Sequence, residues 1–191
     1  MSMLPLTATA TEVNRAADVV RRLREYFRTG ASRLETIDPY VVIAGAIKQW
    51  SERARHEGVK IDLGMREDLP PLLGDRVQIE IVMHNLLGNA FDAVLSVADG
   101  RRQIEVAARR EGKAQIRVTV TDSGPGLAPD RLPSLFQPFA TSKPGGMGLG
   151  LSISRSMVEN HGGRIWAEPL DSGAAFHFTL RIDDRADETE G

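Results

Sequence analysis

One stretch of thirty residues, Asp122 to Leu151, constrains this chain more than any other: DSGPGLAPDRLPSLFQPFATSKPGGMGLGL. A glycine cluster stands at each end, and prolines break the segment between. The upstream flank, Gln115-Ile-Arg-Val-Thr-Val-Thr121, alternates polar and apolar residues. That pattern predicts a strand with one buried face. Downstream, Leu151, Ile153 and Val158 recur at helical spacing. The chain must therefore leave a strand through one glycine turn and start a helix through another. Glycine tolerates left-handed backbone and close approach. A glycine-rich helix start exposes unpaired N–H groups and the positive end of the helix dipole, which suits phosphate. Either cluster alone reads better as a surface turn, because short glycine motifs match often by chance. Together, and with the asparagine pair described next, they point to a nucleotide.

The helix predicted over 76–97 has a buried side marked by Val82, Leu86, Ala90, Ala93 and Val97. Asn85, Asn89 and Asp92 fall on another face, within about 60° of one another. Asparagine is a poor helix former, so two at this spacing need a reason. Their amide oxygens can ligate a hard cation such as Mg²⁺ or its waters, with nucleotide phosphates completing the shell. The alternative is hydrogen bonding to neighbouring loops.

The remaining elements follow in order. Val13, Ala16, Val20, Leu23 and Phe27 form the seam of a helix over 11–29, ended by Thr29-Gly30. Such a stripe wants bundle partners or the main domain. A linker over 31–37 precedes Asp38-Pro39, an N-cap and first helical residue. The helix it starts carries Val41, Val42, Ala44, Ile47, Trp50 and Ala54 and ends near Gly58. Val59, Ile61 and Leu63 alternate as a strand, Pro70-Pro71 forces a loop, and Asp75 caps the asparagine helix. Strands are predicted over 103–109 and 114–121, a helix over 148–160 ending at His161-Gly162-Gly163, and strands over 164–168 and 174–182. The expected class is α+β, a two-layer α/β sandwich with helices on one face of a mixed sheet, plus the N-terminal bundle helix. The expected division is 1–30, 31–183 and a charged flexible tail over 184–191.

A net charge of −2 gives no case for nucleic acid as a partner. The absence of cysteine removes disulfides, thiol catalysis and thiolate metal sites, and fits a cytoplasmic location.

Four motifs in order resemble the ATP-binding domain of sensor histidine kinases, in the superfamily shared with DNA gyrase, a heat-shock chaperone and mismatch-repair ATPases. They are Asn85-x-x-x-Asn89-Ala90, Asp122-x-Gly124-x-Gly126, Phe136-x-Pro138-Phe139 and Gly146-x-Gly148-x-Gly150-Leu151. The resemblance implies that Asp122 accepts a hydrogen bond from the adenine amine, as an ionised carboxylate can. Gly124 and Gly126 would let backbone pass close to the base. Asn85 and Asn89 would hold Mg²⁺ against the phosphates, with Asp92 on the same face. Gly146, Met147, Gly148, Leu149, Gly150 and Leu151 would wrap the phosphates. Lys143 would contact phosphate or be a solvated loop lysine. Phe136 and Phe139 would form the aromatic box of a lid, or pack lid to body. Thr179 would reach adenine through water or, as the better reading of a strand threonine, serve the sheet alone. The helix over 11–28 is similar to the second helix of a dimerisation and phosphoacceptor domain.

Two departures sharpen the expectation. Hydrolysing relatives carry a water-activating glutamate four residues before the first asparagine; here that residue is Ile81. Glu80 lies about 140° around the helix from Asn85. Phosphoryl transfer is thus expected over hydrolysis. Sensor kinases also present a histidine in a His-Glu/Asp-x-x-x-Pro setting. His56-Glu57 is followed by Gly58, with Ile61 where proline should stand; His84 could line the site but is better read as facing solvent, His161 starts a helix-ending turn, and His177 lies on a strand. The acceptor is expected upstream, on a dimerisation domain of a longer homodimeric parent, with a response regulator receiver domain as the next partner. Competing readings are an ATP-clamp ATPase, an anti-sigma-type serine kinase and a non-catalytic nucleotide-sensing module.

Overall fold

The computed structural model describes residues 33–65, 68–98, 101–141 and 147–185. The bundle helix expected over 11–29 lies outside them.

Strand β1 (Glu35–Ile37) falls where the linker was expected. It pairs antiparallel with β3 (Leu72–Gly74), directly after the Pro70-Pro71 loop. Three-residue strands are too short for alternation to show. Helix α1 (Pro39–Glu57) starts as predicted: Asp38 accepts from the N–H groups of Tyr40 and Val41, and Gly58 ends it at φ 65°. Its buried residues include Val42, Ile43, Ala46 and Ala54, whereas Val41 is exposed.

Helix α2 (Arg76–Leu95) begins at Asp75, whose side chain accepts from the Gln78 N–H. It is buried around most of its circumference, including Ile79, Met83, Leu87, Phe91 and Val94 beyond the predicted stripe. Trp50 of α1 stacks on Phe91 at 4.7 Å. The main sheet has five strands: β2 (Lys60–Met65), β4 (Gln103–Glu111), β5 (Gln115–Asp122), β6 (Ile165–Pro169) and β7 (Ala174–Arg181). Their order is β2-β4-β5-β7-β6, parallel between β2 and β4 and antiparallel elsewhere. Ile104, Val106, Val118, Val120, Phe176 and Phe178 face the helices and form the core. Helix α3 (Gly150–Asn160) covers the β6–β7 end of the sheet.

On the opposite face Trp166 stacks over His177 at 5.0 Å, and Arg164 sits 4.2 Å from the indole. This roof leaves β7 buried from Ala174 to Leu180. The tail expected from 184 onward begins anchored. Asp183 is buried; it accepts from the Thr36 hydroxyl at 2.5 Å and from the Arg185 guanidinium at 2.8 Å. The guanidinium, helped by the hydroxyl, holds this carboxyl well below the usual range.

Candidate nucleotide-binding site

Asp122 ends β5 and is only 5% exposed. Its Oδ1 accepts from the Gly124 N–H at 2.8 Å, and the Ala174 N–H also donates to the carboxylate. Burial pushes its pKa up, and the two backbone donors offset only part of that. The residue after next must be glycine because of α2. A Cβ on Gly124 would lie 2.7 Å from that of Ala93. The packing requirement at Gly124 thus comes from a helix, where room for the base was expected. Gly173, at φ 88°, has no space for a Cβ because the Asp122 carbonyl oxygen occupies it. Gly126, at φ 86°, faces the Gly173 carbonyl in turn. Two loops therefore cross at Asp122.

The second half of the site lies further back along α2. Asn85 is buried, and its Nδ2 donates to the Gly150 carbonyl at 3.3 Å and to Ser154 Oγ at 3.1 Å. Its Oδ1 lies 3.6 Å from where a Gly150 Cβ would stand, beside the start of α3. Asn89 is half-buried and Asp92 exposed, each further toward the C-terminus of α2. The N-cap of α3 is Leu149, and no side chain caps the helix there. The first N–H groups of a helix have no intrahelical partner, and the dipole's positive end lies behind them. Leu149, Gly150 and Leu151 are half-buried.

The loop between the halves closes on itself. The Phe139 N–H donates to the Gly148 carbonyl at 3.0 Å. Gly148 adopts φ 64°, and a Cβ there would lie 2.5 Å from the Phe139 carbonyl carbon. Phe139 itself takes φ 66° and is 75% exposed, so packing of lid on body does not describe it; Phe136 is half-buried. Met147 is exposed. Lys143 and Gly146 lie outside the described residues. Gly148→Ala should force this crossing apart. Limited proteolysis should then cut at Arg131 several-fold faster than in wild type, and unchanged cutting would show that the crossing is pliable.

Thr179 is not brought to the site. It pairs with Arg117, whereas Asp122 pairs with Ala174. Five positions of strand separate them by about 17 Å. The Thr179 hydroxyl accepts from the Arg164 N–H at 3.1 Å instead. The residues missed in the sequence are Ala174, next to Asp122, and Ser154, next to Asn85. A glycine opening a strand and a serine one turn past Gly150 were the available signals.

His84 is engaged rather than facing solvent: its Nδ1 accepts from the Trp50 indole N–H at 3.2 Å. His56 is exposed in the last turn of α1. Glu80 pairs with Arg76 at 2.9 Å and leaves the asparagine face without a carboxylate base at the Ile81 position. Among the described residues no group of three or more His, Cys, Asp or Glu could hold a metal. A cation here would draw on neutral amide oxygens and on the ligand, which fits Asn85 and Asn89 beside the uncapped helix.

Residues 74–184 match the family model described as "Histidine kinase-, DNA gyrase B-, and HSP90-like ATPase". Sensor protein FixL of Bradyrhizobium diazoefficiens is 41% identical over 178 residues, covering 92% of this chain and 34% of FixL. The chain thus spans about a third of that relative's length. The nucleotide-free catalytic domain of histidine kinase ThkA aligns with a TM-score of 0.71 at 30% identity, covering 78% of this chain and 96% of that one. Histidine kinase ThkA in complex with response regulator protein TrrA aligns with a TM-score of 0.76 at 25% identity, covering 95% and 53%.

Proposed function

The chain belongs to the histidine kinase-, DNA gyrase B- and HSP90-like ATPases as a catalytic domain of the sensor kinase type, and from that premise we propose how its residues divide the work. It presents the γ-phosphate of Mg-ATP to a histidine on a dimerisation domain upstream, for relay to a response regulator. One observation carries this reading. Helix α2 joins a buried carboxylate site at Ala93–Gly124–Asp122 to the uncapped start of α3 at Asn85–Gly150.

Asp122 accepts from the adenine amine and disfavours the guanine carbonyl. The N–H groups at the start of α3 receive phosphate oxygens. Asn85 and Asn89 would hold Mg²⁺, which would supply positive charge against the phosphates. Lys143 and Gly146 would belong to the closing loop. Ile81 offers water no base, so the γ-phosphate waits for an oriented nucleophile. Three of the four described histidines are engaged elsewhere, His84 on Trp50, His161 between helices and His177 under Trp166, and His56 is exposed in the last turn of α1. No helix among the described residues is long and apolar enough to cross a membrane, and a cytoplasmic site of action is proposed.

The test is Mg-ATP binding by calorimetry, followed by labelled ATP with and without a histidine-bearing helix pair supplied in trans. Acid-labile, base-stable label should appear on the added helices and not on this chain. Asn89→Ala should reduce affinity about tenfold in Mg²⁺ and little in its absence, in line with a lost metal-linked ligand. Label on this chain alone that His56→Ala removes would overturn the assignment of the acceptor.

A further inference from the structure

His161 lies 6% exposed at the C-terminal cap of α3, far from the residues assigned to ATP. Its Nε2 accepts from the Asp75 N–H at 2.8 Å, so that nitrogen carries no proton. Its Nδ1 is 2.7 Å from the Met157 carbonyl and therefore donates to it. Asp75 is the N-cap of α2, and Met157 lies in the last turns of α3. One imidazole thus joins the start of α2 to the end of α3. Asn85 joins the same two helices at the other end, through Gly150 and Ser154. Ten residues of α2 separate the two joints, about 15 Å. A helix held at one point can pivot; a helix held at two cannot. Gly74 completes the first joint. A Cβ there would lie 3.2 Å from His161 Cδ2, and Gly74 itself pairs with Glu35 of β1.

We propose that His161 is a positioning residue for the nucleotide's phosphates: it fixes the angle of α3 on α2, and so the aim of the N–H groups at the start of α3. The inference rests on the nucleotide reading above. Pivoting about Asn85 would misdirect the phosphate end and leave Asp122, held by β5 and the Gly173 crossing, where it is.

The test compares a non-hydrolysable Mg-ATP analogue with adenosine. His161→Phe keeps the ring shape and removes both bonds. His161→Asn retains a donor toward Met157 but is too short to reach Asp75. His161→Gln carries an acceptor long enough to reach it. In folded protein the Phe and Asn variants should bind the analogue about fivefold more weakly, the factor of one neutral hydrogen bond. Their adenosine affinity should be unchanged, and Gln should recover part of the loss. A merely structural histidine would lower thermal stability and leave the ratio of the two affinities as it was. Nitrogen-15 NMR of the wild type should show the proton on Nδ1 with Nε2 bare. Should the Phe variant not fold, the Asn variant and the tautomer decide. An unchanged affinity ratio, or a proton on Nε2, overturns the inference alone. A wild type that binds no analogue overturns the nucleotide reading and the inference with it.

Discussion

Asp122→Asn should weaken Mg-ATP binding by about 2–3 kcal/mol, roughly 30- to 150-fold, while changing stability by no more than about 1 kcal/mol. The asparagine Oδ1 can still accept from Gly124, so the crossing of loops at this residue keeps its bond. A buried charge disappears, which offsets what the second donor loses. What the ligand meets changes more: an amide group offers adenine's amine a donor where a carboxylate accepted. Calorimetry with ATP and GTP and a urea melt measure both sides. Wild-type ATP affinity in the variant would remove Asp122 from the site. The pH profile gives a second readout. Burial holds the pKa of Asp122 above the ordinary carboxylate value. The folded chain thus holds this proton more tightly than the unfolded chain does. The group's contribution to stability is greatest below its unfolded pKa and is lost as pH rises through the folded one. Binding has the opposite sense, because adenine's amine favours the ionised form. ATP affinity should therefore fall as pH drops through the raised pKa, and the asparagine variant should not show that fall.

Gly163→Ala should cost about 3 kcal/mol or more. The new Cβ would overlap the Thr179 carbonyl oxygen and lie 2.9 Å from its carbon. Neither can give way freely. The Thr179 N–H donates to the Arg164 carbonyl at 2.9 Å, and Thr179 is paired across to Arg117 of β5. A urea midpoint that falls with an unchanged m-value is the expected signature. Since Thr179 is remote from Asp122, the folded fraction should bind ATP as before. A loss below about 1 kcal/mol would mean that the β6–β7 pair yields locally.

Much of the scaffold was legible because local chemistry set it. Asp38 and Asp75 cap α1 and α2 as their position before a helical run predicts, Gly58 ends α1 in left-handed backbone, and β5 alternates to its last residue. The misses are non-local. β1 and β3 exist because they pair with each other, and three residues carry no period. Thr179 and Ala174 lie on one strand, and only the register with β5 says which of them meets Asp122. His84 sits at a solvent-like position of α2 until Trp50 arrives from α1. The glycine at position 124 was legible, but its cause, the nearness of Ala93, was not. Asp122 and Asn85 were thus singled out by residue type, while their neighbours Ala174 and Ser154 depended on tertiary contact.

Helix α2 touches the two halves of the site at Asn85 and Ala93, eight residues and about 12 Å apart on one unbroken helix. It is a ruler as well as a wall. On the proposed reading, a ligand with a base at one end and phosphates at the other would meet two subsites whose separation is already set. Once the first is occupied, the second sees a high effective concentration of its own group. Cutting the ligand in two should therefore lose far more affinity than either contact is worth, and lengthening the spacer between base and phosphates should do the same.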